Sequence, residues 1–220
     1  LPNIFYLGWS EDQLRCIEII ENIIFREEGK FAQAMPRGGG KTAICRGAIL
    51  WATSYGYRKF LIFVGPNQTK AEQTLDAVRT NWYNNRLLIQ DFPEIGYPFF
   101  RLENRSNLAK GQLYLGSTTH SEWGSGKITY PSLLFPQAEA DYFLSNDPES
   151  LVYSKMHERW ISPAAGCHIA TAGIDGAIRG DAQTHPIWLS QPRPDLVLLD
   201  DVQKDSKAES PTQIEKTIRT

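Results

Sequence analysis

The apolar positions near the start of the chain are spaced as in a helix. Ser10-Glu11-Asp12-Gln13 has the form of a capping box. Gly29 is placed to end the helix that this box opens. A short apolar stretch, Phe31 to Met35, is then predicted to be a strand. The helical assignment depends on apolar residues at Leu14, Ile17, Ile20 and Ile24.

Three further elements follow in alternation. Residues 41–52 are predicted to be a helix, with Gly56 just past its end. Phe60 to Val64 is a continuous apolar run, which is typical of a buried parallel strand. The next helix presents one apolar face, formed by Ala71, Leu75, Val78 and Trp82. Helices and strands that alternate in this way predict an α/β fold with a mainly parallel central sheet flanked by helices.

The middle of the chain is less regular. Residues 85–165 are rich in aromatic residues, proline and glycine, and we predict an irregular β-rich excursion there. Its strand-like pieces are Gln112 to Gly116 and Ile128 to Leu134, and a helix is expected near Ser150 to Trp160. The core of a single domain spanning residues 1–220 would then come from about 1–84 and 166–220.

The sheet resumes after the excursion. Cys167 to Ala172 and Leu196 to Leu199 are predicted to be core strands, and the second of these ends in Asp200 and Asp201. Ser210-Pro211 marks the expected start of a last helix, with serine as cap and proline in the first turn.

Composition narrows the classes of function. The 220 residues carry a formal net charge of −2, which excludes a strong positive field over the whole molecule. Any contact with DNA would therefore be local or shared among subunits. The three cysteines, Cys16, Cys45 and Cys167, have no metal-ligand spacing and are expected to be buried thiols. We find no membrane-spanning run and no signal-peptide pattern.

A phosphate-binding loop is predicted at Met35-Pro36-Arg37-Gly38-Gly39-Gly40-Lys41-Thr42. Gly38, Gly39 and Gly40 allow backbone N–H groups to turn around a phosphate, and the helix that follows directs its positive end to the same point. Lys41 is expected to reach the β- and γ-phosphates, and Thr42 to offer its hydroxyl to Mg²⁺. The usual motif begins with glycine, whereas this loop has Met35 there. A glycine-rich turn before a helix that happens to begin Lys-Thr is the alternative interpretation.

Two charged features complete the predicted site. The guanidinium of Arg37, inside the loop, can fork onto phosphate oxygens, although a surface arginine is the plainer interpretation. Asp200 and Asp201 follow an apolar strand, where one carboxylate can hold hydrated Mg²⁺ and the next can orient or deprotonate water. We assign Asp200 to the metal and Asp201 to the water, while an Asp-Asp turn remains the alternative. Together the motifs predict a P-loop NTPase of the RecA-like (ASCE) type, a Mg²⁺-dependent ATPase.

The chain resembles the ATPase domain of the large terminase subunits, the DNA-packaging motors of tailed bacteriophages. The features that carry this resemblance are the arginine-containing loop, the strand-Gly-Pro-Asn-helix segment Phe60 to Trp82, the glycine-rich stretch Ala172 to Gly180 with Arg179, the acidic strand end with Arg193-Pro194-Asp195 before it, and the segments Val202 to Asp205 and Ser210 to Gln213. The resemblance covers most of the chain, although the middle third contributes little.

The resemblance implies further roles for individual residues. Lys41 and Thr42 would bind phosphate and magnesium, and Arg37 would act in cis. Gln13, near Trp9, lies where these motors place an adenine-reading glutamine, although it also closes the capping box. Arg179 would act on the ATP of a neighbouring subunit, or would simply anchor a loop.

The resemblance also implies partners. We expect double-stranded DNA, a homo-oligomeric ring on the portal protein, the small terminase subunit, and a location in the host cytoplasm during virion assembly. Two departures from the family are visible: the strand ends in Asp-Asp where these motors carry Asp-Glu, and the chain stops at Thr220 before a coupling motif or nuclease domain. An ATPase without cutting activity is therefore expected.

Two other classes of function compete with the packaging ATPase. A helicase-like, nucleic-acid-stimulated ATPase of the same fold class would need a second core domain, and none fits in 220 residues. A nucleotide-binding regulator that does not hydrolyse ATP would be expected to lack the acidic pair at Asp200 and Asp201.

Overall fold

The computed structural model describes residues 8–26, 29–174, 176 and 193–201. Its helices are α1 (Glu11–Arg26), α2 (Lys41–Ser54), α3 (Gln68–Asn84), α4 (Arg86–Asp91), α5 (Pro93–Arg101) and α6 (Gln137–Asn146), with a 3-10 turn at Ser106–Leu108. Its strands are β1 (Phe60–Gly65), β2 (Leu113–Tyr114), β3 (Ser117–Thr118), β4 (Glu122–Trp123), β5 (Lys127–Thr129), β6 (Val152–Ser154), β7 (Arg159–Ile161), β8 (His168–Gly173) and β9 (Leu196–Leu199). None of these helices combines the length and apolar character needed to cross a bilayer.

The central sheet has the strand order β4-β5-β8-β1-β9. Strands β8, β1 and β9 are parallel, with Val64 of β1 opposite Ala172 on one side and Leu199 on the other. Strand β5 runs antiparallel to β8, and β4 antiparallel to β5. The protein is thus mixed α/β, with a helix-flanked sheet that is parallel on the side that carries the acidic strand end.

The core lies between this sheet and helix α3. Every residue of β1 is buried, as the continuous apolar run predicts. The apolar face of α3 is buried as well, and its Trp82 donates a hydrogen bond from Nε1 to the hydroxyl of Tyr130 at 2.9 Å. Burying a large apolar side chain contributes about 1.5–3 kcal/mol, so the buried face of α3 stabilises its packing on the sheet. The start of α3 is held by Asn67, whose side chain accepts from the Lys70 amide.

The predicted strand Phe31–Met35 is wrong. Residues 29–36 have no regular secondary structure, and all but the partly buried Met35 are exposed. The stretch has only Phe31 and Met35 as large apolar residues, so it has little surface to bury, and Pro36 removes a ladder donor next to it. The predicted phosphate loop is therefore preceded by irregular chain and not by the strand that this motif requires.

The middle of the chain is more helical than predicted, because α4, α5 and α6 all fall within residues 85–165. The helix expected near Ser150 to Trp160 is wrong: β6 and β7 form an antiparallel hairpin there. Its strands are rich in Val, Tyr, Trp and Ile, which suit a pleated surface, and Glu158 takes a positive φ of 50° at the turn. Of the piece Ile128 to Leu134, only the start lies in a strand, since Pro131 cannot donate to the ladder.

The other predicted strands are present in the structure. The stretch Cys167 to Ala172 corresponds to β8, and Gln112 to Gly116 contains β2. Leu196 to Leu199 is β9, but it is the last strand in the order of the described sheet and only Leu196 is buried, so it is not a core strand as predicted. The helix expected from Ser210-Pro211 lies outside the described residues, as do Val202 to Asp205.

Candidate functional site

The glycine-rich loop turns tightly into helix α2. The amide of Gly39 donates to the carbonyl of Pro36 at 3.1 Å, which closes a turn around Arg37 and Gly38. Gly40 is the residue before the helix and takes a left-handed φ of 83°, a conformation that glycine adopts without strain. Gly40 has no side chain with which to cap the first amides of α2. These amides are therefore available to an anion, which the helix dipole also favours.

Lys41 folds back across the loop. Its Nζ donates to the carbonyl oxygen of Met35 at 2.8 Å. An ammonium group has three donors, so two remain for other acceptors such as phosphate oxygens. The contact also explains how methionine can stand in place of the usual glycine. The loop uses the carbonyl of Met35, and this residue is not among those with positive φ.

Gln13 links the N-terminal helix to the loop. The capping box is confirmed, because Gln13 Oε1 accepts from the Ser10 amide at 2.9 Å and the Gln13 amide donates to Ser10 Oγ at 3.3 Å. The other end of the same side chain, Nε2, donates to the carbonyl of Gly39 at 3.0 Å. Gln13 is thus both a helix cap and a contact to the glycine-rich loop. Its reading of adenine stays a prediction.

The two predicted halves of the site meet at one hydrogen bond. Thr42 Oγ1 donates to Asp200 Oδ2 at 2.6 Å, although the two residues are 158 positions apart in the sequence. Strand β9 places Asp200, since the Asp200 amide continues the ladder to the carbonyl of Val64 at 2.9 Å. Asp200 is only 8% exposed. A buried carboxylate beside a helix-start hydroxyl is a pair of hard oxygen ligands.

Asp201 differs from Asp200 in both exposure and backbone. It is exposed, and its φ of 50° lies in the left-handed region. Aspartate tolerates this region better than most residues, yet such a conformation is often found at functional sites.

A cleft of about 310 Å³ opens beside the Thr42–Asp200 contact. It lies between α2, α3 and the ends of β1 and β9, and its lining residues are Thr42, Arg46, Phe63, Gly65, Pro66, Lys70, Gln73, Thr74, Asp200 and Asp201. Sequence reasoning missed the cations Arg46 and Lys70. The spacing of Arg46, four residues after Thr42 and so on the same helix face, is a signal that could have identified it.

The donor set suits Mg²⁺. Within the described part of the chain no three His, Cys, Asp or Glu side chains cluster as a metal cage. Thr42, Asp200 and Asp201 instead offer a hydroxyl and two carboxylates, and Mg²⁺ is usually held by one or two carboxylates with waters and substrate phosphates. Burial, together with the charge of Asp200, raises the pKa of the neighbouring Cys45 thiol to about 12.

Of the remaining predicted site residues, Arg37 and Gly38 lie in the described part of the chain and Arg179 does not. Arg37 is exposed at the loop turn. Gly38 has a φ of 80°, and the backbone of the three glycines follows the tight turn described above. Arg179 lies outside the described residues, as does most of the glycine-rich stretch around it.

Comparisons of this chain with protein-family models, with curated proteins and with solved structures found no match.

Proposed function

We propose that this chain binds ATP with Mg²⁺ at the loop Met35–Thr42 and hydrolyses it. The observation that carries the proposal is the 2.6 Å hydrogen bond between Thr42 and Asp200. The sequence singles out these residues separately, as the end of a phosphate loop and the end of an acidic strand. If the glycine-rich turn and the Asp-Asp turn were functionally unrelated, a hydrogen bond between them in a cleft would not be expected.

Each residue then has a defined task. The free amides at the start of α2 and two Lys41 donors bind phosphate oxygens, while Thr42 and Asp200 would hold the ion. A magnesium ion bound there would neutralise charge on the phosphates as the reaction proceeds. Asp201, exposed on the cleft wall, orients the attacking water and accepts its proton. Arg37 adds positive charge near the transferred phosphoryl group.

The proposed biological role is DNA packaging by a terminase-like motor. It is supported by the motif order along the chain, in which an arginine-containing loop, the Gly-Pro-Asn segment after β1 and the acidic strand end occur in turn. ATP hydrolysis in a ring of subunits would move double-stranded DNA into a procapsid, with Arg179 reaching a neighbouring site. This role predicts that double-stranded DNA stimulates ATP turnover by the assembled ring, which a phosphate-release assay measures.

The test of the ATP site is a binding measurement on Lys41→Ala. We expect the chain to bind ATP with Mg²⁺, and the variant to bind at least about a hundredfold more weakly, as loss of charge-assisted hydrogen bonds implies. Lys110→Ala, which removes an exposed lysine far along the chain, is the matched control and should bind normally. Equal ATP affinity in Lys41→Ala and the parent chain, or no binding by the parent chain at millimolar ATP, would refute the proposal.

A further inference from the structure

Two positively charged residues, Arg46 and Lys70, line the cleft beside Asp200, and the proposed ATP site gives neither of them a role. We call this pair the cationic wall. Arg46 lies on α2, one helical turn after Thr42, and Lys70 lies in the first turn of α3. Both line the same cleft as Asp200 and Asp201. Two helices therefore bring positive side chains to a space that already contains two carboxylates.

Neither cation is used by the described part of the fold. Arg46 Nε is buried and makes no hydrogen bond there. The ion pairs among the described residues, at Arg79, Arg105 and Lys127, include neither Arg46 nor Lys70. A buried guanidinium nitrogen without an acceptor costs free energy, so its retention at a cleft wall is consistent with an acceptor that comes from a ligand.

The direction of the side chains favours a ligand close to Thr42. Side chains on a helix lean toward its N-terminus, so the side chain of Arg46 leans toward Thr42 and the proposed magnesium ligands. Lys70 faces the same cleft from the opposite helix. A planar guanidinium and an ammonium that line one cleft suit a phosphoryl group, which accepts bidentate hydrogen bonds from arginine.

We propose that Arg46 and Lys70 bind the terminal phosphate of ATP and make the site prefer a nucleoside triphosphate to a diphosphate. This inference rests on the proposed ATP site. The loop amides and Lys41 bind phosphates that ATP and ADP share, with Lys41 also reaching the γ-phosphate, whereas the cleft wall contacts only the group that ATP alone carries. The two cations thus report whether the nucleotide has been hydrolysed.

Calorimetric titration with ADP and with a non-hydrolysable ATP analogue, both with Mg²⁺, tests this preference. Arg46→Ala and Lys70→Ala should each weaken binding of the triphosphate about tenfold or more while ADP affinity changes less than about threefold. Arg46→Met keeps the packing of the stem and should behave as Arg46→Ala, and Arg46→Lys should retain part of the preference. Arg101→Ala, at an exposed arginine of α5, is the control and should change neither affinity.

The outcomes separate the two proposals. Equal loss of both nucleotides in Arg46→Met and Lys70→Ala, or no loss of either, overturns the role of the cationic wall while the ATP site stands. Failure of the parent chain to bind either nucleotide overturns the ATP site and this inference with it. Lys41→Ala should lose both nucleotides together, so its pattern differs from that of the wall variants.

Discussion

Replacing Thr42 by valine tests the contact that joins the two halves of the site. Valine keeps the shape of threonine and removes only the hydroxyl that donates to Asp200 at 2.6 Å. This distance is typical of an O–H group that donates to a carboxylate, and hydrogen bonds to charged groups contribute about 1.5–3 kcal/mol. Asp200 is 8% exposed, so water replaces the lost donor poorly. We expect the free energy of unfolding to fall by about 1.5–3 kcal/mol.

Urea unfolding followed by circular dichroism measures this loss, with thermal melting as a second readout. For a chain of this size a loss of 1 kcal/mol lowers Tm by roughly 2–4 °C, so the expected drop is about 3–12 °C. Thr69→Val is a matched control, because Thr69 is also the second residue of a helix but is exposed. Its effect should stay within about 0.5 kcal/mol.

A double-mutant cycle with Asp200→Ala makes the test specific to the pair. If Thr42 acts through Asp200, the double variant should be scarcely less stable than Asp200→Ala alone, giving a coupling of about 1–3 kcal/mol. Additive losses would show that Thr42 stabilises the protein by another route. An effect of Thr42→Val no larger than that of Thr69→Val would contradict the reasoning outright.

Two further outcomes follow from the structure. Asp201→Asn should leave ATP affinity within about threefold. It should lower the turnover rate, measured as phosphate release, at least about a hundredfold, because an amide cannot accept the proton. An equal loss of binding would place Asp201 on the metal instead. Burial raises the pKa of Glu94 from 4.5 to about 7, so the stability contributed by its protonated form is complete below pH 4.5 and lost as pH rises through 7. Between pH 4.5 and 7 the unfolding free energy of the parent chain should therefore fall by on the order of 3 kcal/mol. This fall should disappear in Glu94→Gln and persist in the control Glu149→Gln, which changes an exposed residue. A parent chain with no such pH dependence would refute this account.

Elements with a strong local pattern could be predicted from the sequence. Strand β1 is apolar throughout and buried throughout, and α3 shows a single apolar face that packs on the sheet. The capping box at Ser10 and Gln13 forms as its spacing indicates. In each case the information lies within a few neighbouring residues, so no knowledge of the rest of the fold is required.

The failures lie where distant partners decide the structure. Phe31 to Met35 has only two large apolar residues, so its strand pattern is weak, and whether it pairs depends on the rest of the fold. The hairpin of β6 and β7 depends on cross-strand pairing, with Tyr153 opposite Trp160, and a helical pattern in the same residues is only superficial. Arg46 and Lys70 acquire significance only when α2 and α3 pack around one cleft.

In the glycine-rich loop, main-chain geometry matters more than residue identity at the first position. The first loop position contributes the carbonyl of Met35, which accepts from Lys41, and every amino acid has that carbonyl. Glycine is required instead at Gly40, where φ is 83° and an added Cβ would lie 3.0 Å from Gln13 Nε2. A positive φ is therefore needed at Gly40 and not at Met35, although residues 29–36 do not form the strand that normally precedes a phosphate loop. Gln13 and Lys41 both donate hydrogen bonds to carbonyls of this loop, which leaves the amides at the start of α2 to the anion proposed above.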